Sequence, residues 1–217
     1  MDRIAVDLRV TGRFITLEGG EGVGKSTQAR RIADALAARG IDAVITREPG
    51  GSPGAEAIRG LLLTGDAALW GPRAEALLFA AARADHVEKT IRPAIASGKW
   101  VICDRFLDSS RAYQGGASGL DDDDIMTLHR IGSDAFLPDR TLVLALPEDE
   151  AAARADARDG GVADRIGARD AAYHARVAAA FARYCAEDPA RFRLIDASGA
   201  AEAVTARVMT AIADLLP

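Results

Sequence analysis

The sequence predicts an α/β fold, a five-stranded parallel sheet with helices on both faces. Three observations carry this. Short apolar runs of strand length alternate with longer runs of helical period, the pattern of a parallel sheet wrapped by helices. A glycine-rich turn joins the first strand to the first helix. A chain of 217 residues is long enough for one well-buried core, and it shows no repeat, low-complexity linker or second domain.

The elements follow in order. Residues 1–12 alternate charged and apolar side chains and read as a loose tail, which leaves 13–217 as a single domain. Phe14-Ile15-Thr16-Leu17 is a buried strand within about 13–18, followed by a helix over about 25–39 with Gly40 as its C-cap. Asp42 to Thr46 is a second strand. It runs into Arg47 to Gly54, a Pro/Gly-rich loop that cannot be helical, and then a short helix over 56–63. Pro72 suits the first turn of a long helix through about Ser97, broken near Pro93. Trp100 to Asp104 is the third strand. Asp121 to Asp124 precede an apolar-periodic run and read as a helix N-terminus complementing its dipole, a metal site being the remote alternative. Thr141 to Leu146 and Phe192 to Ile195 are the fourth and fifth strands. Between them lie an Arg/Asp/Gly-rich stretch, 154–170, and a helix to about Glu187; an amphipathic helix closes the chain.

Composition narrows the function. Aromatics are sparse and alanine abundant, so the core should rest on Leu, Ile, Val and Ala. Lysine occurs only at Lys25, Lys89 and Lys99, which leaves the cationic work to arginine as local clamps for phosphate and carboxylate. A net charge of −5 argues against a nucleic-acid binder. Cys103 and Cys185 lack metal-ligand spacing, and Cys103 sits inside an apolar strand as a structural thiol. No apolar run approaches a signal peptide or membrane span, so a cytoplasmic protein with no membrane partner is expected.

The chemistry starts at Gly19-Gly20-Glu21-Gly22-Val23-Gly24-Lys25-Ser26, with Thr27 next, which fits the phosphate-binding loop G-x-x-x-x-G-K-[ST]. Its glycines let backbone N–H groups turn inward around phosphate oxygens, and the helix that follows aims its positive end at them. Lys25 adds a point charge for the terminal phosphates, and Ser26 can ligate Mg²⁺. The chain should therefore bind a nucleoside triphosphate. In an open parallel sheet, ligands lie beyond the carboxyl ends of the strands. Four polar clusters fall there: this loop, Arg47–Gly54, Asp104-Arg105, and 154–170. Asp104 ends an apolar strand, where a carboxylate either supports the metal or caps a loop. Three classes compete. A guanine-reading switch would need an N/T-K-x-D motif, and the chain contains no asparagine and no Lys-x-Asp. A mechanical ATPase module would usually show a longer chain or a basic partner surface. A small-molecule kinase needs a second pocket and an arginine-rich cover, and candidates for both are present.

Several motifs in the right order make the reading sharper: 17–27; Thr46 to Ser52; Leu77 to His86; Asp104 to Gly115; and Asp164-Arg165-Ile166. With these the chain resembles thymidylate kinase, in the nucleoside monophosphate kinase group of P-loop folds, from about Arg13 to the final helix. The resemblance implies phosphorylation of dTMP to dTDP by ATP with Mg²⁺, for deoxythymidine triphosphate synthesis; another nucleoside monophosphate or small-molecule kinase is the alternative. It implies a homodimer, for which the Ala-rich 74–84 segment is a candidate face. It places Phe79 on the thymine ring and Arg83, one turn on, at the base's carbonyl side. Without the family, Phe79 is equally a core aromatic. Arg105 would clamp the acceptor phosphate, the alternative being a surface ion pair with Asp104 or Asp108. Ser109, Ser110, Tyr113 and Gln114 would line base and deoxyribose, Tyr113 crowding out a 2′-hydroxyl. Glu21 would lie near the acceptor sugar or metal, and Glu48 in the acceptor-side loop. Ser26 and Asp104 would hold the metal. Gly22 stands where one subgroup carries an arginine; this chain resembles the subgroup that supplies arginines from a lid, here about 150–170 with Arg154 and Arg158, and Lys25, Arg105 and Glu21 as further catalytic candidates. Gly167 replaces a usual glutamate, Phe106 a common tyrosine and Ala82 a frequent aspartate.

Overall fold

The computed structural model describes residues 11–66, 68–159 and 165–217, so of the expected tail only Thr11 and Gly12 fall within it. Five strands form: β1 (Phe14–Glu18), β2 (Ala43–Arg47), β3 (Trp100–Asp104), β4 (Arg140–Ala145) and β5 (Phe192–Asp196). They pair in parallel in the order β2-β3-β1-β4-β5. The centre of the sheet is β1, which explains why all five of its residues are buried and why its sequence is a continuous apolar run rather than an alternating one.

Nine helices are described: α1 (Lys25–Ala37), α2 (Pro53–Leu63), α3 (Pro72–His86), α4 (Arg92–Ala96), α5 (Leu107–Ser110), α6 (Asp122–Ser133), α7 (Glu148–Asp159), α8 (Ala171–Glu187) and α9 (Ala201–Ala211). Pro53 and Pro72 sit in the first turns of α2 and α3, where a missing N–H leaves no bond unmade. The predicted break near Pro93 is a π-helical turn, Val87–Ile91, after which α4 continues the same rod with Pro93 in its first turn. The wider turn accommodates the proline, so the helix continues past it without stopping. Asp122, Asp123 and Asp124 fill the first turn of α6, as the dipole reading expected. Among the described residues no cluster of three or more His, Cys, Asp or Glu could hold a metal there.

Alternate strand residues serve two faces. Ile15, Leu17, Trp100, Ile102, Leu142 and Leu144 pack on one face against Ile32 and Leu36 of α1 and Val204 and Val208 of α9. Phe14, Val101 and Cys103 pack on the other against α3, the π turn and α6, and Val143 and Phe192 pack there against α8. On the first face the core is aliphatic apart from Trp100, close to the expectation of Leu, Ile, Val and Ala. On the second, Phe14 meets Phe106 edge-on at 4.9 Å and Phe136 face-on at 5.5 Å, while Tyr184 and Phe192 lie 6.0 Å apart. The few aromatics were concentrated where large rings fill the space between sheet and helices.

Candidate active site

The loop between β1 and α1 has its glycines at 19, 22 and 24 with positive φ. Gly19 has a second reason to lack a side chain, since a Cβ there would come within 2.3 Å of the Leu144 carbonyl oxygen. Gly24 is the left-handed residue before α1, and its carbonyl accepts from the N–H groups of Thr27 and Gln28. Lys25 is buried and arches back over the loop, its Nζ donating to the carbonyls of Gly20 at 2.6 Å and Gly19 at 3.3 Å. Burial, then the nearby Arg105 charge, lowers its pKa to about 8. Phosphate oxygens would replace those carbonyls with full charges.

Ser26 Oγ donates to Asp104 Oδ2 at 2.6 Å, which joins the first turn of α1 to the end of β3. A hydroxyl and a carboxylate in contact are hard oxygen donors of the kind Mg²⁺ takes, so this pair fits the ion. The next residue, Arg105, has φ 69, an uncommon conformation for a side-chain-bearing residue. Its guanidinium donates to Gly19 O at 3.0 Å, Ser109 Oγ at 3.2 Å and Glu21 Oε1 at 2.5 Å, and it stands 5.0 Å from the Tyr113 ring centre. Its carboxylate partner is Glu21, not Asp104 or Asp108, the pair weighed as the alternative to a phosphate clamp. Asp108 is fully buried and takes Arg111 and Arg191.

The unusual turn at Arg105 is held from below by Glu18, a residue to which the sequence reading gave no role. Its Oε1 accepts from the N–H groups of Phe106 and Ser109, and its Oε2 accepts from Ser109 Oγ at 2.6 Å. Burial, reinforced by Asp108, pushes Glu18 up to about 7.

On the acceptor side, Phe79 is half-buried and Arg83 buried on the same face of α3. Arg83 Nε donates to Glu48 Oε2 at 2.8 Å and its Nη2 to Ser110 Oγ at 2.8 Å. Its guanidinium stacks over Phe106 rather than Phe79. Glu48 has both oxygens engaged, Oε1 bonding His86 Nδ1 at 3.1 Å, which makes it a support for Arg83. His86 Nε2 in turn meets Thr46 Oγ1 at 2.7 Å. Gly51, with φ 84, closes the row: a Cβ there would lie within 2.4 Å of both His86 Nε2 and Thr46 Oγ1.

Tyr113 and Gln114 lie on a π-helical segment, Arg111–Ala117, that continues α5. The Tyr113 hydroxyl is enclosed with no hydrogen-bond partner among the described residues, and burial pushes its pKa up to about 12. Gln114 donates to Glu75.

One cavity of about 860 Å³ joins these groups. It is lined by residues 21–27 and by Glu48, Phe79, Arg83, Asp104, Arg105, Ser109, Ser110, Tyr113, Gln114 and Arg154. Gly19 and Gly20 contribute carbonyls beneath Lys25. Arg154, on α7, reaches the Ala197 carbonyl at 3.4 Å and Glu150 at 3.6 Å, with its side chain 41% exposed. The Arg158 side chain and residues 160–164, Asp164 among them, lie outside the described residues. Glu18, Glu75 and His86 were missed because these hydrogen-bond partners are 38 or more residues away, and nothing local marks them.

Comparison with known proteins agrees with this geometry. The family model described as "Thymidylate kinase" matches residues 17–208. The chain is 65% identical over 206 residues to a thymidylate kinase of Rhizorhabdus wittichii, covering 95% of this chain and 99% of that one. It is 48% identical over 208 residues to a thymidylate kinase of Bradyrhizobium diazoefficiens, covering 95% and 91%. The crystal structure of thymidylate kinase from Ehrlichia chaffeensis superposes with a TM-score of 0.73 at 30% identity, over 93% of this chain and 98% of that one. A match across nearly the whole length, on a sheet and phosphate loop of this form, means that the chain belongs to the thymidylate kinase family.

Proposed function

We infer that the chain transfers the γ-phosphoryl group of ATP to dTMP, giving ADP and dTDP. The observation that carries this is the single cavity, with a phosphate loop at one end, the Phe79/Arg83/Gln114 group at the other, and Arg105 between them. An oxygen of the dTMP phosphate attacks the γ-phosphorus of ATP, and the bond from that phosphorus to the β–γ bridging oxygen breaks. Such a transfer needs alignment and charge neutralisation more than covalent help. The loop N–H groups and Lys25 hold the donor phosphates. Arg105 holds the acceptor phosphate, Phe79 takes the base face and Arg83 its carbonyl edge. Tyr113 sits against the sugar, where its ring disfavours a 2′-hydroxyl.

Ser26 and Asp104 would hold Mg²⁺, which when bound would supply further neutralisation of the phosphates. Arg154 and Arg158 of α7 are four residues apart on one helical face and reach the moving phosphoryl group as residues 150–170 close as a lid.

The working form in this reading is a cytoplasmic homodimer, with one domain per chain and no nucleic-acid or membrane partner. Leu77 of α3 and Ile131 of α6 are 56% and 70% exposed, and they offer apolar area for a partner copy. Among the described residues no helix is long and apolar enough to cross a membrane.

The test is an ATP-coupled assay across the nucleoside monophosphates. dTMP should be the best acceptor; AMP or GMP as the best acceptor overturns the assignment.

A further inference from the structure

Glu75 lies one turn before Phe79 and two before Arg83, on the same face of α3, and it is fully buried. Its Oε1 accepts from Gln114 Nε2 at 2.8 Å. Its Oε2 accepts from Arg165 and from Arg169, the latter at 2.8 Å. Arg165 is itself buried and donates to the Leu62 carbonyl, so the guanidinium cannot swing away.

A side-chain amide has two ends of similar shape and opposite function, and its partner decides which end faces which way. A carboxylate only accepts, so the end of Gln114 that meets Glu75 must be the NH₂. Two guanidiniums on the far oxygen hold the carboxylate in that role. The other end, Oε1, accepts from none of the described residues, and Gln114 lines the cavity beside Arg83 and Ser110. The cavity therefore meets an acceptor at this position, and the Gln114 amide cannot turn without placing a carbonyl against a carboxylate.

We propose that Glu75 is a positioning residue for base selection: it locks Gln114 with Oε1 toward the cavity, where it accepts the ring N–H that a thymine carries and a cytosine lacks. This rests on the acceptor being dTMP. At ring position 3 thymine presents a donor and cytosine a lone pair. A fixed acceptor there attracts the first and repels the second, and a freely turning amide serves either. A polar group fixed by protein partners also discriminates more sharply than one that can adapt, because the wrong ligand leaves it unpaired.

The experiment measures kcat/KM for dTMP, dCMP and N3-methyl-dTMP with wild-type enzyme, Glu75→Gln and Gln114→Met. Wild type should prefer dTMP to N3-methyl-dTMP by about tenfold or more. Glu75→Gln should lose most of that preference through KM for the monophosphate, with KM for ATP held, and Gln114→Met should lose it as well. A structural role alone would lower all three acceptors in proportion. If Glu75→Gln does not fold, the Gln114 side-chain amide protons of the wild type, identified by their absence in Gln114→Met, decide the matter by their exchange rate. Exchange as fast as in exposed glutamines overturns the proposal. So does a wild type that accepts N3-methyl-dTMP within about threefold of dTMP, or a folded Glu75→Gln that keeps the full preference. A wild type inactive on dTMP would instead overturn the proposed function.

Discussion

Arg105 Nη2 lies 2.5 Å from Glu21 Oε1, so the end of β3 and the phosphate loop are bridged by one ion pair, with the two side chains 15% and 30% exposed. The pair stands where donor and acceptor phosphates would meet. In the proposed reaction an arriving acceptor phosphate would compete with Glu21 for the same guanidinium, while Gly19 O and Ser109 Oγ hold it in place.

Arg105→Ala should therefore raise KM for dTMP by about 10–100-fold, the worth of a charge-assisted hydrogen-bond set. KM for ATP should change much less. Steady-state kinetics with each substrate varied in turn checks this. An unchanged KM for dTMP together with a lowered Tm would reduce Arg105 to a structural partner of Glu21.

In the proposed mechanism, the roles of Arg154 and Arg158 are separable from binding. At least one of Arg154→Ala and Arg158→Ala should lose about 10³–10⁵ in kcat, the range for an arginine that meets the transferring group. ATP affinity by calorimetry should stay close to wild type in the same variant. Both single variants and the double variant within about tenfold of wild-type kcat would exclude this role, because an arginine finger contributes far more.

Glu18 should give folding stability a pH dependence. Its pKa is raised from 4.5 to about 7 by burial and then by Asp108. Between those values the folded chain keeps a proton that the unfolded chain has released, so this contribution to stability is complete below about 4.5 and is lost as pH rises through about 7. The difference corresponds to about 3 kcal/mol. Glu18→Gln keeps the shape and cannot ionise. Its Tm relative to wild type should rise between about pH 4.5 and about pH 7.5, followed by thermal melts at several pH values. A constant difference across that range would show that Glu18 does not titrate there.

Arg191→Ala should act on stability and spare chemistry. Asp108 is fully buried and accepts from Arg191 at 2.6 and 3.1 Å. Removing that guanidinium leaves Arg111 as its charged partner, at about 3 kcal/mol for a broken buried pair. Denaturant unfolding should record the loss while kcat of the folded enzyme changes little. A wild-type midpoint would mean that Arg111 alone satisfies the carboxylate.

What could be seen in the sequence was what is local in it. The phosphate loop, the five strands and the prolines that start α2 and α3 act within a few residues, so their patterns survive without coordinates. The proposed base reader was visible as a Phe79–Arg83 spacing on one helix. Its supports were not, since Glu48 reaches Arg83 across 35 residues and Glu75 reaches Gln114 across 39. Arg105 shows the same limit. Its alternative ion-pair partners could be weighed only among near neighbours, Asp104 and Asp108, and the fold supplied Glu21, 84 residues away, by laying β3 beside β1. The concentration of aromatics on one side of the sheet was also hidden, because composition counts rings without assigning them to a face.

Gly51 touches neither the phosphate loop nor the base-reading side chains, yet any side chain there would strike His86 and Thr46. Displacing His86 frees one oxygen of Glu48, and Glu48 aims Arg83. In a genetic screen for altered nucleotide preference, substitutions at 51 would score alongside those at 83 and be mistaken for a ligand contact. A map of such variants onto the fold would draw the nucleotide pocket larger than it is, extended by His86 and Thr46, which do not line the cavity.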